Sequence, residues 1–163
     1  MSLVIRKANP DDASAICRIY NPHVLKTVVT FEETEIAVPE MASRIANIGA
    51  SYSFLAAEDD GAFAGYSYAA RFNERIGYRY TVVTTVYVDQ TMQGRGVGTA
   101  LYRALLERLA AHSMHAAIGI IALPNPASIA LHEKCGFRKV AHLDQAGIKF
   151  GRWIDVGYWQ IVL

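Results

Sequence analysis

The chain has 163 residues, 52% of them hydrophobic, with 16 basic against 15 acidic side chains and a formal charge of +1. That is enough for the core of a single domain spanning 1–163, and the charge balance speaks against nucleic acid or an anionic membrane as partner. Cys17 and Cys135 form no C-x-x-C pair and read as small buried hydrophobes of a reducing compartment. No signal peptide precedes Leu3, and the longest apolar run, Ala116–Leu123, falls well below the roughly 18 residues of a membrane span, so a cytoplasmic setting is expected.

In chain order, Leu3–Arg6 is a short strand. Asn9-Pro-Asp-Asp supplies an N-cap, a proline for the first turn and acids facing the helix dipole, and Ala13, Ile16, Cys17 and Tyr20 continue at helical spacing. Pro22 is expected to stop or kink that helix, and Val28–Glu33 reads as a loop or short extended piece. Pro39 opens a second helix with Met41, Ile45 and Ile48 on one side. Ser53–Ala57 and Phe63–Ala70 are strands joined across Glu58-Asp-Asp-Gly61, a hairpin signal. A further strand, Tyr80–Val88, runs into a glycine-rich loop, after which Val97, Ala100, Leu101, Ala104, Leu105 and Leu109 mark an amphipathic helix. Ala116–Leu123 is a buried-type strand, and Pro126 starts a short helix closed by Gly136. Phe137–His142 and Trp153–Val162 are the last strands. The order β-α-α-β-β-β-α-β-α-β-β describes a mixed α/β domain of the α+β kind rather than a doubly wound one.

The loop Gln93-Gly-Arg-Gly-Val-Gly-Thr99 leaves backbone amides uncovered between a strand and a helix N-terminus, with Arg95 at its centre. Three readings compete with phosphate anchoring of an intact cofactor. A Walker loop needs Gly-Lys-Ser/Thr, which is absent. A dinucleotide fingerprint needs G-x-G-x-x-G after the first strand, whereas G-x-G-x-G follows the fourth. A plain tight turn is the third. Strand, amide nest and helix N-terminus together can hold a pyrophosphate without a metal.

Val86-Tyr-Val-Asp89 followed by Gln93-Gly-Arg-Gly-Val-Gly98 resembles the acetyl-CoA signature of the GNAT N-acetyltransferase superfamily. Leu123-Pro-Asn-Pro-Ala-Ser128 and Leu131-His-Glu-Lys-Cys-Gly-Phe137 resemble its second cofactor motif. Tyr20-Asn21, Thr27-Val-Val-Thr-Phe31, Lys149-Phe-Gly-Arg-Trp-Ile-Asp155 and Gly157-Tyr-Trp-Gln160 are similar to the phosphinothricin and methionine sulfoximine acetyltransferases in particular. The resemblance implies a mixed, mostly antiparallel sheet of seven strands, flanked by helices and splayed between the fourth and fifth strands, with acetyl-CoA in the gap. On that footing Val86, Tyr87 and Val88 meet the pantetheine arm, Gln93, Gly94, Arg95, Gly96, Val97, Gly98 and Thr99 the pyrophosphate, and Asn125 and Ser128 the far side. It also implies a small amino-acid-like amine as acceptor and a homodimer.

That family usually carries Thr-x-Glu ahead of Ser-Val-Tyr-Val, its glutamate taken as the base that deprotonates the amine. Here the stretch is Thr81-Val-Val-Thr-Thr-Val-Tyr-Val88, and Val83 stands in the glutamate's place. Three explanations are open: a relay from Glu32, Glu33 or a histidine, an amine that arrives neutral, or acyl-CoA binding without transfer. His132 stands where many superfamily members have the tyrosine proposed to protonate the thiolate; it is the catalytic candidate, with helix packing as the alternative. Arg71, Arg75 and Arg79 form either a clamp for a carboxylate or phosphinate or a solvated edge. Tyr78 and Thr85 join Arg71 and Arg75 as acceptor-site candidates, and Phe31, with Phe150 and Trp153, supplies an apolar wall or core contact. His112 and His115 read as helix-end residues, and no spacing of histidines or acids suggests a metal. The rival functions are acetylation of another amine (a polyamine, a drug or a protein N-terminus) and non-catalytic acyl-CoA binding.

Overall fold

A computed structural model describes residues 2–163. Strand β1 (Leu3–Lys7) leads through a 3-10 turn, Pro10–Asp12, into α1 (Ala13–Lys26) and α2 (Val38–Ser51). Strands β2 (Phe54–Asp59), β3 (Ala62–Arg71) and β4 (Thr81–Val88) precede α3 (Val97–Ala111), β5 (Ala116–Ala122) and α4 (Pro126–Lys134). Strands β6 (Arg138–Lys149) and β7 (Arg152–Val162) close the chain. The seven strands lie in the order β1-β2-β3-β4-β5-β7-β6.

Alternation along β2 sends neighbouring side chains to opposite faces, and the result is two cores. Leu55 and Ala57 face α3, where Leu101, Tyr102, Leu105 and Leu109 pack with Trp159. Phe54 and Ala56 face α1 and α2, with Ile16, Val24, Met41, Ile45 and Tyr66. The helix before these residues starts as its sequence requires: the Asn9 side chain accepts from Asp11 N, and Asp12 reaches back to the Asn9 N–H at 2.9 Å. Asp12 also takes two hydrogen bonds from Arg6, at 2.7 and 2.8 Å, while Arg6 reaches Glu58 at 2.6 Å, so β1, the turn and β2 share one ionic cluster.

Among the described residues only β4 and β5 run parallel, and they pair over Thr81–Val83 with Ala116–Ile118. Beyond that the strands separate, leaving the β5-facing edge of β4 unpaired from residue 84 onward. The expected splay is therefore present, and it opens directly ahead of the glycine loop.

Two expectations need correction. Pro22 does not end the first helix, which runs on to Lys26. Burial of Val24 and the two hydrogen bonds of the Asn21 side chain to Ile36 keep that last turn packed. Strand β6 is longer than Phe137–His142 and continues to Lys149. Register breaks at Lys139/Ala141 and Leu143/Gly147, with Gln145 at φ 51°, interrupt the alternation that would reveal it.

Candidate functional site

The glycine loop is built from the end of β4 outward. Asp89 N donates to Ala64 O at 2.9 Å, while its carboxylate accepts from Thr91 N at 2.9 Å and the Thr91 hydroxyl at 2.6 Å, turning the chain away from the sheet. Gly94 and Gly96 have φ of +77° and +83°, and a Cβ at either would meet nothing within 4 Å, so the backbone there faces open space. Ala100 N donates to Gly96 O, closing the first turn of α3. The N–H groups of Val97, Gly98 and Thr99 therefore lack helical partners, and the helix dipole adds positive potential at that end. A Cβ on Gly98 would sit 3.2 Å from Leu131 and 3.4 Å from Val88, so α3, α4 and β4 meet closely there.

From this nest a cleft of about 700 Å³ runs between β4 and β5. Its size suits a cofactor-scale ligand. Gln93, Gly94 and Gly96–Thr99 line the entrance, Val83–Val88 one side, and Asn125, Ser128 and His132 the α4 side. Tyr20, His23, Val29, Thr30 and Tyr68 wall the inner end. Asn125 caps α4 by accepting from Ser128 N at 3.1 Å. Arg95 departs from its expected place at the centre of the nest: its guanidinium lies 3.6 Å from the buried carboxylate of Asp59, at the end of β2.

His132 sits on the wall but has little proton-transfer freedom. Its Nδ1 donates to Ser128 O at 2.7 Å, so Nε2 is left as an acceptor for the Tyr102 hydroxyl, also at 2.7 Å; that hydroxyl in turn lies 3.1 Å from Thr84 Oγ1. Burial holds the imidazole below the ordinary histidine range, with the Ser128 bond opposing. A neutral ring whose one N–H is committed has no proton to spare for a thiolate. The packing reading accounts for it better: a Cβ on Gly119 would fall 2.2 Å from its Nε2.

Thr85 lines the cleft. Phe31 lies over Gly147, stays 41% exposed and is not among the cleft's lining residues. The arginine loop does not reach the cleft within one chain either. Arg71 is paired to Glu74 at 2.6 Å, Arg79 lies over the Tyr80 ring, and Tyr78 meets Phe72 edge-on; neither Arg71, Arg75 nor Tyr78 is among the cleft's lining residues. Glu32 is pinned by Arg44 at 2.7 Å and by the Tyr20 hydroxyl, and Arg44 above all keeps its carboxyl below the usual range, which makes it a weak base.

Several features of the inner end escape a linear reading. Tyr66, Tyr68 and Tyr87 stack on one face of β3 and β4, and Tyr20 meets Tyr87 edge-on at 5.2 Å. Their period-two spacing on β3 was the available signal. Lys149, fully buried, donates to Thr30 O at 2.7 Å directly behind the wall, and burial lowers its pKa against the pull of Glu33 and Glu32. The β6–β7 hairpin also gathers His142, Asp144 and Asp155, which no sequence spacing suggested, with His142 Nε2 hydrogen-bonded to Asp155 at 2.9 Å.

Comparison with known proteins agrees with this geometry. Residues 5–157 match the acetyltransferase (GNAT) domain family. The chain is 36% identical to a phosphinothricin N-acetyltransferase of Streptomyces viridochromogenes, over 96% of this chain and 85% of that one. It is 34% identical to an L-methionine sulfoximine/L-methionine sulfone acetyltransferase of Salmonella typhimurium, over 99% and 95%. A crystal structure of a phosphinothricin acetyltransferase from Sinorhizobium meliloti in complex with acetyl-CoA superimposes with a TM-score of 0.95 at 36% identity, covering 100% of this chain and 89% of that one. The splayed sheet, the amide nest and these relatives lead to one conclusion: the chain belongs to the GNAT acetyltransferases, as an acetyl-CoA-dependent N-acetyltransferase related to the phosphinothricin and methionine sulfoximine enzymes.

Proposed function

We propose that the acceptor is the amine of a small amino acid or amino-acid analogue of the phosphinothricin or methionine sulfoximine and sulfone type. The observation that carries this reading is the inner end of the cleft, where tyrosine rings and Thr30 form a confined wall with the Lys149 ammonium immediately behind it. A cation beside a confined, half-apolar compartment suits a small molecule bearing both an amine and a carboxylate. The acetyl-CoA end fits the residues present: amides of Gly94–Thr99 for the pyrophosphate, the free edge of Val86–Val88 for the pantetheine arm, and Asn125 and Ser128 opposite. Bound there, acetyl-CoA supplies the acetyl group as a thioester.

The chain is also proposed to act as a homodimer in the cytoplasm, with the arginine loop of one copy facing the cleft of the other. Two surfaces favour this. Ile76 is 76% exposed at the tip of the arginine loop, and Ile148, Phe150 and Trp153 are exposed on the β6–β7 hairpin, 51%, 53% and 61%. Steady-state kinetics with methionine sulfone and its carboxamide test the acceptor assignment. Blocking the carboxylate is expected to raise KM at least tenfold and leave the acetyl-CoA KM unchanged; equal KM values for the two acceptors would contradict it.

A further inference from the structure

An alkylammonium must lose a proton before its nitrogen can attack a thioester, and Val83, on the cleft wall of β4, has no basic atom to accept it. The titratable groups on the cleft wall narrow quickly. Burial drives the Tyr20, Tyr68, Tyr87 and Tyr102 hydroxyls further above the ordinary tyrosine range, away from use as bases near neutrality. His132 has both nitrogens bonded. His23 differs from all of these. It sits in the last turn of α1, its ring 5.3 Å from that of Tyr87, and Tyr87 shares its face of β4 with Val83 and Thr85. Its Nδ1 is shut off from solvent with no hydrogen-bond partner among the described residues, and the residue lines the cleft, so Nε2 is the nitrogen it has to offer an acceptor.

We infer that His23 is the catalytic base of the acetyl transfer, receiving the acceptor's proton from across the cleft in the place where a carboxylate at position 83 would otherwise act. This rests on the acetyltransferase assignment and not on which amine is used. The ammonium gives one proton to the imidazole, and the nitrogen lone pair so freed forms the bond to the acetyl carbon. The carbon–sulfur bond breaks, and its electron pair leaves with the CoA sulfur. The nitrogen sheds its second proton; one of the two protons ends on sulfur and the other in solvent. The groups around His23 favour its neutral form. Burial first, and then the charge of Lys149, whose ammonium lies 3.4 Å from the His23 carbonyl oxygen, hold it below the ordinary histidine range, while Tyr87 from β4 and Tyr20 from α1 are uncharged, and Glu32 and Glu33 act on Lys149.

The test uses whichever amine turns over fastest, so failure of amino acids as acceptors defeats the proposed acceptor class and leaves this experiment intact. In the wild type, kcat/KM is expected to fall on an acid limb below pH 6.5 and to hold a plateau above it, the same limb for acceptors of different amine pKa. His23→Gln is expected to lose at least tenfold at pH 7 with acetyl-CoA affinity unchanged, and its rate to climb with pH along the acceptor's own titration. Val83→Glu in that background is expected to restore the rate and a carboxylate limb. A His23→Gln enzyme with wild-type rate and limb would overturn the assignment. So would a wild-type profile that tracks each acceptor's pKa, a measurement that needs no variant to fold.

Discussion

Gly96 and Gly98 shape the proposed pyrophosphate site by different means. At φ +83°, Gly96 holds a left-handed backbone that costs other residues about 1–2 kcal/mol, and a branched side chain there would cover the amides of the nest. Gly98 instead leaves room for Leu131 and Val88. Gly96→Val and Gly98→Val are each expected to weaken acetyl-CoA binding at least tenfold by calorimetry while circular dichroism keeps the native spectrum. The exposed amide loop ahead of α3 was legible because glycines at alternate positions and a following amphipathic helix are local facts. The orientation of Arg95 was not, since its partner Asp59 lies on a distant strand. His132 shows the same limit: its motif marked a place on the cleft wall, but only Tyr102 and Ser128 fix its proton. Tyr102→Phe strips Nε2 of its donor and is expected to cost about 1–3 kcal/mol in denaturant unfolding.

Among the elements, those with start signals and unbroken periodicity could be read directly, as Asn9 shows at the 3-10 turn leading into α1, and Pro39 and Pro126 at the starts of α2 and α4. The last hairpin could not. Its alternation is broken by two register shifts, and its turn at Phe150-Gly151, φ 51° and 68°, carries no Asn-Gly or Asp-Gly signal. Pro22 misled for a related reason: proline removes one hydrogen bond, and tertiary burial of Val24 outweighs that loss. The joint between β1, the 3-10 turn and β2 offers a measurable element-scale consequence. Asp12→Asn breaks the paired hydrogen bonds from Arg6 and is expected to destabilise the fold by about 2 kcal/mol. The wild-type advantage should be present above the carboxylate's unfolded pKa and vanish as pH falls through its lowered folded value.

For the whole molecule, the sheet's splay was expected, and the cleft it opens brings together residues as distant as His23, Val83 and His132. The arginine loop reached no cleft of its own because sequence proximity to β4 says nothing about which side of the sheet's end it occupies. If a second copy receives it, sedimentation should report a dimer, Ile76→Asp should dissociate it, and both Ile76→Asp and Arg75→Ala should raise the acceptor KM while sparing acetyl-CoA affinity. Acid titration gives another global readout. His23 and His132 both bind protons less readily when folded, so the unfolded chain holds more protons just below pH 6.5, and stability should fall as pH drops through that window. The pairings of Asp12 with Arg6 and of Glu32 with Arg44 are lost only at lower pH, which separates the two effects. The most direct test of the account is thiol release from acetyl-CoA across methionine sulfone, methionine sulfoximine, phosphinothricin, other amino acids and polyamines. The account predicts turnover with the amino-acid-like acceptors, abolished by Gly98→Val; turnover confined to polyamines, or none with any amine, would contradict it.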